Sequence, residues 1–163
     1  MIRDLEMSIL EILHNDARTT HQEIARMTGR SVEEIDAVIA SLEAQRIILK
    51  YPALINWDAL DQQQAEALIE VRVTPQRNEG FDAIAEKIYR FEEVSSVYLM
   101  SGAYDLLVTT KAGSMKELAF FVADKLSTIE NVLSTATHFI LKKYKSDGVI
   151  FDERRSDDRL AVS

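Results

Sequence analysis

The sequence predicts an α+β chain: an N-terminal winged/helix-turn-helix three-helix domain over residues 1–50, an extended connector over 51–62 and a C-terminal ferredoxin-like βαββαβ domain over 63–150, with a charged tail at 151–163. Three observations carry that prediction. Residues 1 to about 46 are helix-patterned with only short breaks. Two capping-box spacings, Thr20–Glu23 and Ser31–Glu34, stand on either side of Gly29. From Ala67 onward, period-two stretches alternate with helical ones in the order βαββαβ, which one sheet with two helices on one face satisfies.

In the N-terminal half, Leu5, Ile9, Ile12 and Leu13 lie on one helical face, with Ile2 extending it, and Asp4 and Glu6 suit the positive end of the helix dipole. Asn15 to Thr19 breaks the pattern. Thr20-His-Gln-Glu23 then offers a hydroxyl to an orphan N–H and a carboxylate three residues on, opening a short helix with Ile24, Ala25 and Met27 inward that stops at Gly29. Ser31-Val-Glu-Glu34 repeats the device and starts a third helix, with Ile35, Val38, Ile39 and Leu42 inward. Two short helices across a tight glycine-containing turn, with a helix before them, spell helix-turn-helix. Ile47 to Ile55 reads as extended, because Pro52 suits only an edge strand or a connector. The polar Asn56-Trp57-Asp58 and Gln62-Gln63-Gln64 place a hinge there.

In the C-terminal half, Ala67, Ile69, Val71 and Val73 alternate as a strand. After the Asn78-Glu-Gly break, Phe81, Ile84, Ala85 and Ile88 give a helix. Val94–Met100 and Tyr104–Lys111 read as strands joined by a tight turn at Ser101-Gly102-Ala103. Ser114-Met-Lys-Glu117 is a third capping box, with Met115, Leu118, Ala119, Val122 and Leu126 inward, and Leu133–Lys143 reads as the last strand. Both strand phases are partly apolar: Leu106 and Val108 against Leu107, Phe139 and Leu141 against Ala136 and Ile140. A sheet with helices on one side and water on the other alternates more cleanly, so the open face is expected to pack on a second copy. Residues 152–163 have no periodicity and read as a frayed tail.

Composition excludes several classes. Of 163 residues 47% are hydrophobic, with only 5 Gly and 2 Pro, which rules out a disordered or fibrous chain. With no cysteine there is no disulfide, thiolate catalysis or Cys-ligated metal. His14, His21 and His138 are scattered, with no H-E-x-x-H, G-x-S-x-G or phosphate-loop pattern, so neither an enzyme, a metal site nor a cofactor is expected. The longest apolar run, Leu118–Ala123, falls far short of the roughly 20 residues that span a bilayer, and the N-terminus carries no address. A soluble cytoplasmic protein without a membrane partner is the expectation. The net charge of -8 taken alone argues against nucleic acid, since Lys and Arg supply most non-specific affinity for phosphate.

The motifs argue the other way. Leu5–Leu13 with Ala17-Arg18, Glu23-Ile24-Ala25 with Gly29-Arg30-Ser31, and Leu42–Ile48 form one set. Val97–Met100 with Ser101-Gly102-Ala103-Tyr104-Asp105, then Thr135-Ala-Thr137 and Leu141-Lys-Lys-Tyr144, form the other. Over about residues 2–150 the chain resembles the leucine-responsive regulatory protein and AsnC (Lrp/AsnC, feast/famine) family of transcription regulators. It departs from that family in having Arg46 where a Gly usually precedes the two aliphatics. The resemblance implies transcription regulation on double-stranded promoter DNA and homodimers through the C-terminal sheets, often assembled as an octamer. It also implies a small-molecule effector, an amino acid or related metabolite, bound between C-terminal domains. Some relatives of this two-domain plan are haem-precursor decarboxylases, which want a His and Arg cluster that His138 alone does not supply.

In helix-turn-helix proteins the start of the second helix reads base edges and the first helix crosses the backbone. That assigns Arg30, Ser31, Glu33, Asp36 and Ala37 to bases, and Arg18, His21, Gln22 and Arg26 to phosphates. From Val32 to Gln45, however, there is no Lys or Arg, only Glu33, Glu34, Asp36 and Glu43, and residues 1–60 hold six basic against ten acidic residues. One acidic reader can accept from cytosine N4, but three in the first turn and a half repel the phosphate walls. Weak, strongly salt-dependent binding by several dimers together is the expectation. The alternative is a ligand-sensing or protein-partner module of the same fold whose head no longer binds DNA. For the effector, Gly102 frees backbone N–H groups for a carboxylate, Asp105 suits an ammonium, Tyr104 shares that turn, and the Thr135 and Thr137 hydroxyls share one strand face.

Overall fold

In the computed structural model, which describes residues 4–60, 64–74 and 80–151, the chain divides into two units, Met1–Ile55 and Asn56–Ser163. The first unit is three helices: α1 (Asp4–Asn15), α2 (His21–Thr28) and α3 (Val32–Ala44). Ile9, Leu13, Ile24, Ala25, Ile35, Ile39 and Leu42 form its buried core. The capping box of α2 closes fully. Thr20 Oγ1 accepts from the Glu23 N–H at 3.3 Å, and Glu23 Oε2 accepts from the Thr20 N–H at 2.8 Å. The Thr20 N–H and then the Thr20 hydroxyl, also 2.8 Å away, donate to Glu23 Oε2 and hold its carboxyl below the ordinary range. The box of α3 closes only by half. Ser31 Oγ accepts from the Glu34 N–H at 3.2 Å, while the Glu34 carboxylate turns to Arg30 at 3.6 Å.

Met27, expected inward, is 66% exposed. At about 100° per residue, Ile24, Ala25 and the half-buried Thr28 share one arc of α2, and Met27 falls well outside it. Helices α2 and α3 end alike. Gly29 (φ +66°) lets the Arg30 N–H reach the Ala25 carbonyl at 3.0 Å. At the end of α3, Arg46 (φ +57°) does the same for Ile47, whose N–H reaches the Leu42 carbonyl at 2.9 Å. No strand occurs among the described residues of this unit; Ile47 and Ile48 lie in a bend, so the extended reading of Ile47–Ile55 does not hold at its start, and Trp57–Ala59 forms a 3₁₀ turn.

The second unit runs β1 (Ala65–Val73), α4 (Asp82–Tyr89), β2 (Val94–Leu99), β3 (Leu106–Ala112), α5 (Met115–Phe120, continuing as a π-helical turn over Phe121–Leu126) and β4 (Val132–Phe139). That is the βαββαβ order. The sheet is antiparallel throughout, in the order β2-β3-β1-β4. Ala67, Ile69, Val71 and Val73 of β1, with Leu106 and Val108 of β3, bury one face against Ile84, Ile88, Leu118, Phe121 and Leu126.

Two expectations here are corrected. Met115 (48% exposed) and Ala119 face out, and Phe121 (3%) faces in. The Ser127 N–H bonds to the Val122 carbonyl at 2.9 Å, a five-residue step that brings Phe121 and Leu126 to one face. The last strand stops at Phe139 rather than Lys143, one residue before the Ile140 N–H meets the Glu66 carbonyl at 2.9 Å. Instead β5 (Lys145–Ser146) and β6 (Val149–Ile150) pair as a separate hairpin around Asp147-Gly148. Expectations for Ile2, Gln62-Gln63, Asn78-Glu79 and 152–163 fall outside the described residues.

The sheet's open face mixes apolar and charged rows. Tyr98 pairs with Leu107, Leu107 with Glu70 and Glu70 with Ala136. Beside that row lie Ser96, Thr109, Leu68 and His138. Glu66 takes Lys143 at 2.7 Å and Lys111 at 3.9 Å, and His138 lies 3.3 Å from Glu70. Among the described residues no helix is long and apolar enough to cross a membrane.

Candidate nucleic-acid interface and effector site

The residues expected to meet DNA stand on the exposed surface of the first unit. Arg18, His21, Gln22, Arg26, Arg30, Ser31, Glu33, Asp36 and Ala37 are all exposed. Arg18 sits in the turn before α2, where its N–H donates to Asp16 Oδ1 at 2.9 Å. Arg18 and Arg26 line one open crevice of about 600 Å³ with Asp16, Thr19, Glu23 and Met27, so two expected phosphate contacts share a surface. Ser31 spends its oxygen capping α3.

One pairing is new relative to the sequence. His21 and Asp36, assigned separately to phosphate and base, meet each other, with Nδ1 and Oδ1 2.5 Å apart. The acidity of α3 is partnered from outside it at three of four places. Glu34 faces Arg30, Asp36 faces His21, and Glu43 Oε1 accepts the Tyr51 hydroxyl at 2.8 Å. Only Glu33 lacks a partner among the described residues. Exposed pairs of this kind add little stability, but they set where the carboxylates point. Tyr51 comes from the connector. Burial, then the hydrogen bond and charge of Glu43, push its phenol up to about 12. Neither partnership has a local signal, because 15 residues separate His21 from Asp36 and 8 separate Glu43 from Tyr51.

The turn between β2 and β3 is closed by the Met100 N–H donating to the Asp105 carbonyl at 2.8 Å. Gly102 has φ +144°, which side chains rarely adopt, and nothing lies within 4 Å of where a Cβ would stand. The backbone, not crowding, requires glycine there. Asp105 is already engaged: its N–H donates to the Val71 carbonyl at 3.1 Å, and its Oδ2 accepts the Val73 N–H at 2.9 Å. That leaves one carboxylate oxygen for a ligand. Tyr104 is half-buried beside it.

Thr135 pairs with Val71 and Thr137 with Ile69, so both lie on the helix-covered face, with Thr135 Oγ1 at 3.3 Å from Ser127 Oγ. Strand β1 separates them from the turn, and no hydrogen bond joins the two groups among the described residues. Within one chain the five expected effector residues therefore form two clusters. Among the described residues no three His, Asp or Glu gather as a metal site.

Comparison with known proteins covers both units. Residues 66–150 match the family description "Lrp/AsnC ligand binding domain", and residues 2–48 match "Winged helix-turn-helix DNA-binding". The chain is 49% identical over 163 residues (99% of this chain, 98% of the relative) to the uncharacterized HTH-type transcriptional regulator YugG of Bacillus subtilis (strain 168). It is 32% identical over 145 residues (89% of this chain, 100% of the relative) to the HTH-type transcriptional regulator LrpA of Pyrococcus horikoshii. In fold it is similar to a Neisseria meningitidis transcriptional regulator solved as an L-Met complex, with a TM-score of 0.69 at 24% identity over 90% of this chain and 94% of that one.

Proposed function

The chain belongs to the Lrp/AsnC family of HTH-type transcriptional regulators, and on that premise we propose a cytoplasmic, sequence-specific DNA-binding regulator whose C-terminal domain takes an amino acid as effector. The observation that carries the reading is the exposed reading head, in which three of the four carboxylates on α3 are held by partners and Arg18, Arg26 and Arg30 face solvent. Binding is weak, falls steeply with salt and gains from several heads acting together. The test is a titration on duplex from upstream of the protein's own gene against random duplex, each at two salt concentrations. Equal binding of both at low salt overturns the sequence-specific regulator, and binding of neither leaves the protein-partner module in its place.

For the effector we assign the Gly102–Asp105 turn. Because Thr135 and Thr137 lie across β1, a second copy completes the site in this assignment. The L-Met complex of the Neisseria relative supports methionine as the first probe of a thermal-shift panel. A ligand at about 100 times its Kd adds roughly 2.7 kcal/mol of stability. A shift that survives Asp105→Ala refutes the assignment. The open sheet face, with Tyr98 52% exposed beside Leu107, supports homodimers there, and membership of the family extends the proposal to an octamer. Leu107→Asp is expected to lower the mass seen by sedimentation, and an unchanged mass refutes that interface.

A further inference from the structure

The pairing of His21 with Asp36 goes further than general DNA contact, and a role for it in base selection rests on the DNA-binding reading. His21 is the first residue of α2, the helix that crosses the DNA backbone, and Asp36 lies in the second turn of α3, the helix that enters the groove. Their side chains are 47% and 55% exposed, so the pair stands at the surface rather than in the core. The crevice beside it is lined by Leu13, Ala17 and Ile39, and its other charged side chain, Glu43, is held by Tyr51.

A carboxylate is acceptor-only, so the imidazole Nδ1–H is the donor of this bond and Oδ1 is spent on it. Oδ2 remains, with its direction set by the ring. In the major groove an acceptor finds donors only at cytosine N4 and adenine N6, and guanine O6 and N7 and thymine O4 repel it. At adenine the neighbouring N7 is a second acceptor, which leaves cytosine as the best fit. Aspartate is short, so the helix backbone must come close. Ala37, Ala40 and Ala44 are exposed on α3 and leave the space for that approach.

We propose that Asp36 and His21 form a coupled base reader. Asp36 Oδ2 accepts from cytosine N4 at one position of each half-site, and His21 is the positioning residue that fixes the carboxylate. The carboxylates that make α3 look unsuited to DNA thus include its selective group.

The experiment is selection from a randomised duplex pool at low salt, followed by competition binding, with wild type, Asp36→Asn, His21→Ala and His21→Asn. Wild type is expected to prefer cytosine over guanine at one position by about fivefold or more, the scale of one good base contact. Asp36→Asn moves that position to adenine, because an amide pairs with N6 and N7 together. His21→Ala flattens that position alone, whatever uniform loss of affinity it brings on random duplex, and His21→Asn, whose amide can donate in place of Nδ1, restores the preference. Identical preferences in all four proteins overturn the reader. A shift with Asp36→Asn but none with His21→Ala overturns the role of His21. If wild type binds no duplex at all, the DNA-binding reading falls, and the proposal with it.

Discussion

Arg46 closes α3 in a conformation that glycine adopts freely and arginine does not. Its φ of +57° sits beside the +66° of Gly29 at the end of α2, and both ends use the same reach-back bond to a carbonyl five residues earlier, Ile47 to Leu42 and Arg30 to Ala25. Left-handed backbone costs an L-residue roughly 1–2 kcal/mol, part of which glycine returns through its larger unfolded-state entropy. Arg46→Gly is therefore expected to stabilise the three-helix unit by about 0.5–1 kcal/mol, or several degrees in Tm for a unit of this size. The Arg46 side chain makes no hydrogen bond or ion pair among the described residues, so nothing offsets the gain. Gly29→Ala is the mirror experiment: nothing lies within 4 Å of the added Cβ, so its loss of about 1 kcal/mol is conformational alone. A melt of the whole chain mixes two units, so the measurement is amide hydrogen exchange at Ile39 and Leu42, both buried in the first unit. Slower exchange in Arg46→Gly and faster exchange in Gly29→Ala are expected. If Gly29→Ala loses stability while Arg46→Gly gains none, backbone strain at Arg46 is the wrong account.

Phe121→Ala, at the π-helical turn and edge-on to Phe91 with centroids 5.5 Å apart, is expected to cost about 3–5 kcal/mol in urea unfolding of the second unit. A cost under about 1 kcal/mol would mean the turn repacks. The Lys125 ammonium, 2.5 Å from Glu93, holds that carboxyl below its ordinary 4.5 against the opposing effect of burial. The contribution is complete above that ordinary value and fades as pH falls through the lower folded one. Lys125→Met should move the Glu93 midpoint upward in a carboxyl NMR titration, and an unmoved midpoint refutes the pairing. For Tyr51, raised to about 12, burial is the larger cause. Glu43→Gln should lower its phenolate midpoint in an ultraviolet titration yet leave it above 10.0; a fall all the way to 10.0 would reverse that order. The neutral phenol's contribution is present below pH 10 and is lost as pH rises toward 12.

Much of the fold was legible because its signals are local. The alternation from Ala67 to Val73 is the buried face of β1, and Thr20 with Glu23 makes both bonds its spacing suggested. The same spacing at Ser31 and Ser114 foretold the cap but not the carboxylate. Glu34 goes to Arg30, and Glu117 accepts the Gly113 N–H at 2.9 Å. Met115 and Ala119 count as inward on a fixed 3.6-residue period because it cannot anticipate one wide turn. The β5–β6 hairpin was there to be read: Asp147-Gly148, with φ of +47° and +80°, is the dipeptide that two-residue hairpins favour. At the candidate sites, exposure was legible from helix phase. The His21–Asp36 bond and the Asp105–Val73 bond were not, because each joins side chain to partner across tertiary packing.

The central place of β1 also bears on how the chain acquires its shape. The strand is made early, yet its two neighbours come late: Ala65 waits for Ala112, and Ala67 waits for Phe139. Until β4 leaves the ribosome, a strand with Ile69 and Val71 on one face keeps an open edge. The first unit, whose contacts are short-range, has by then had its whole sequence available. Long-range pairing is slow and leaves edges exposed to aggregation. The head is therefore expected to form during synthesis, and the sheet to close only as residues 132–139 arrive, which makes that interval the chain's period of greatest exposure to misassembly.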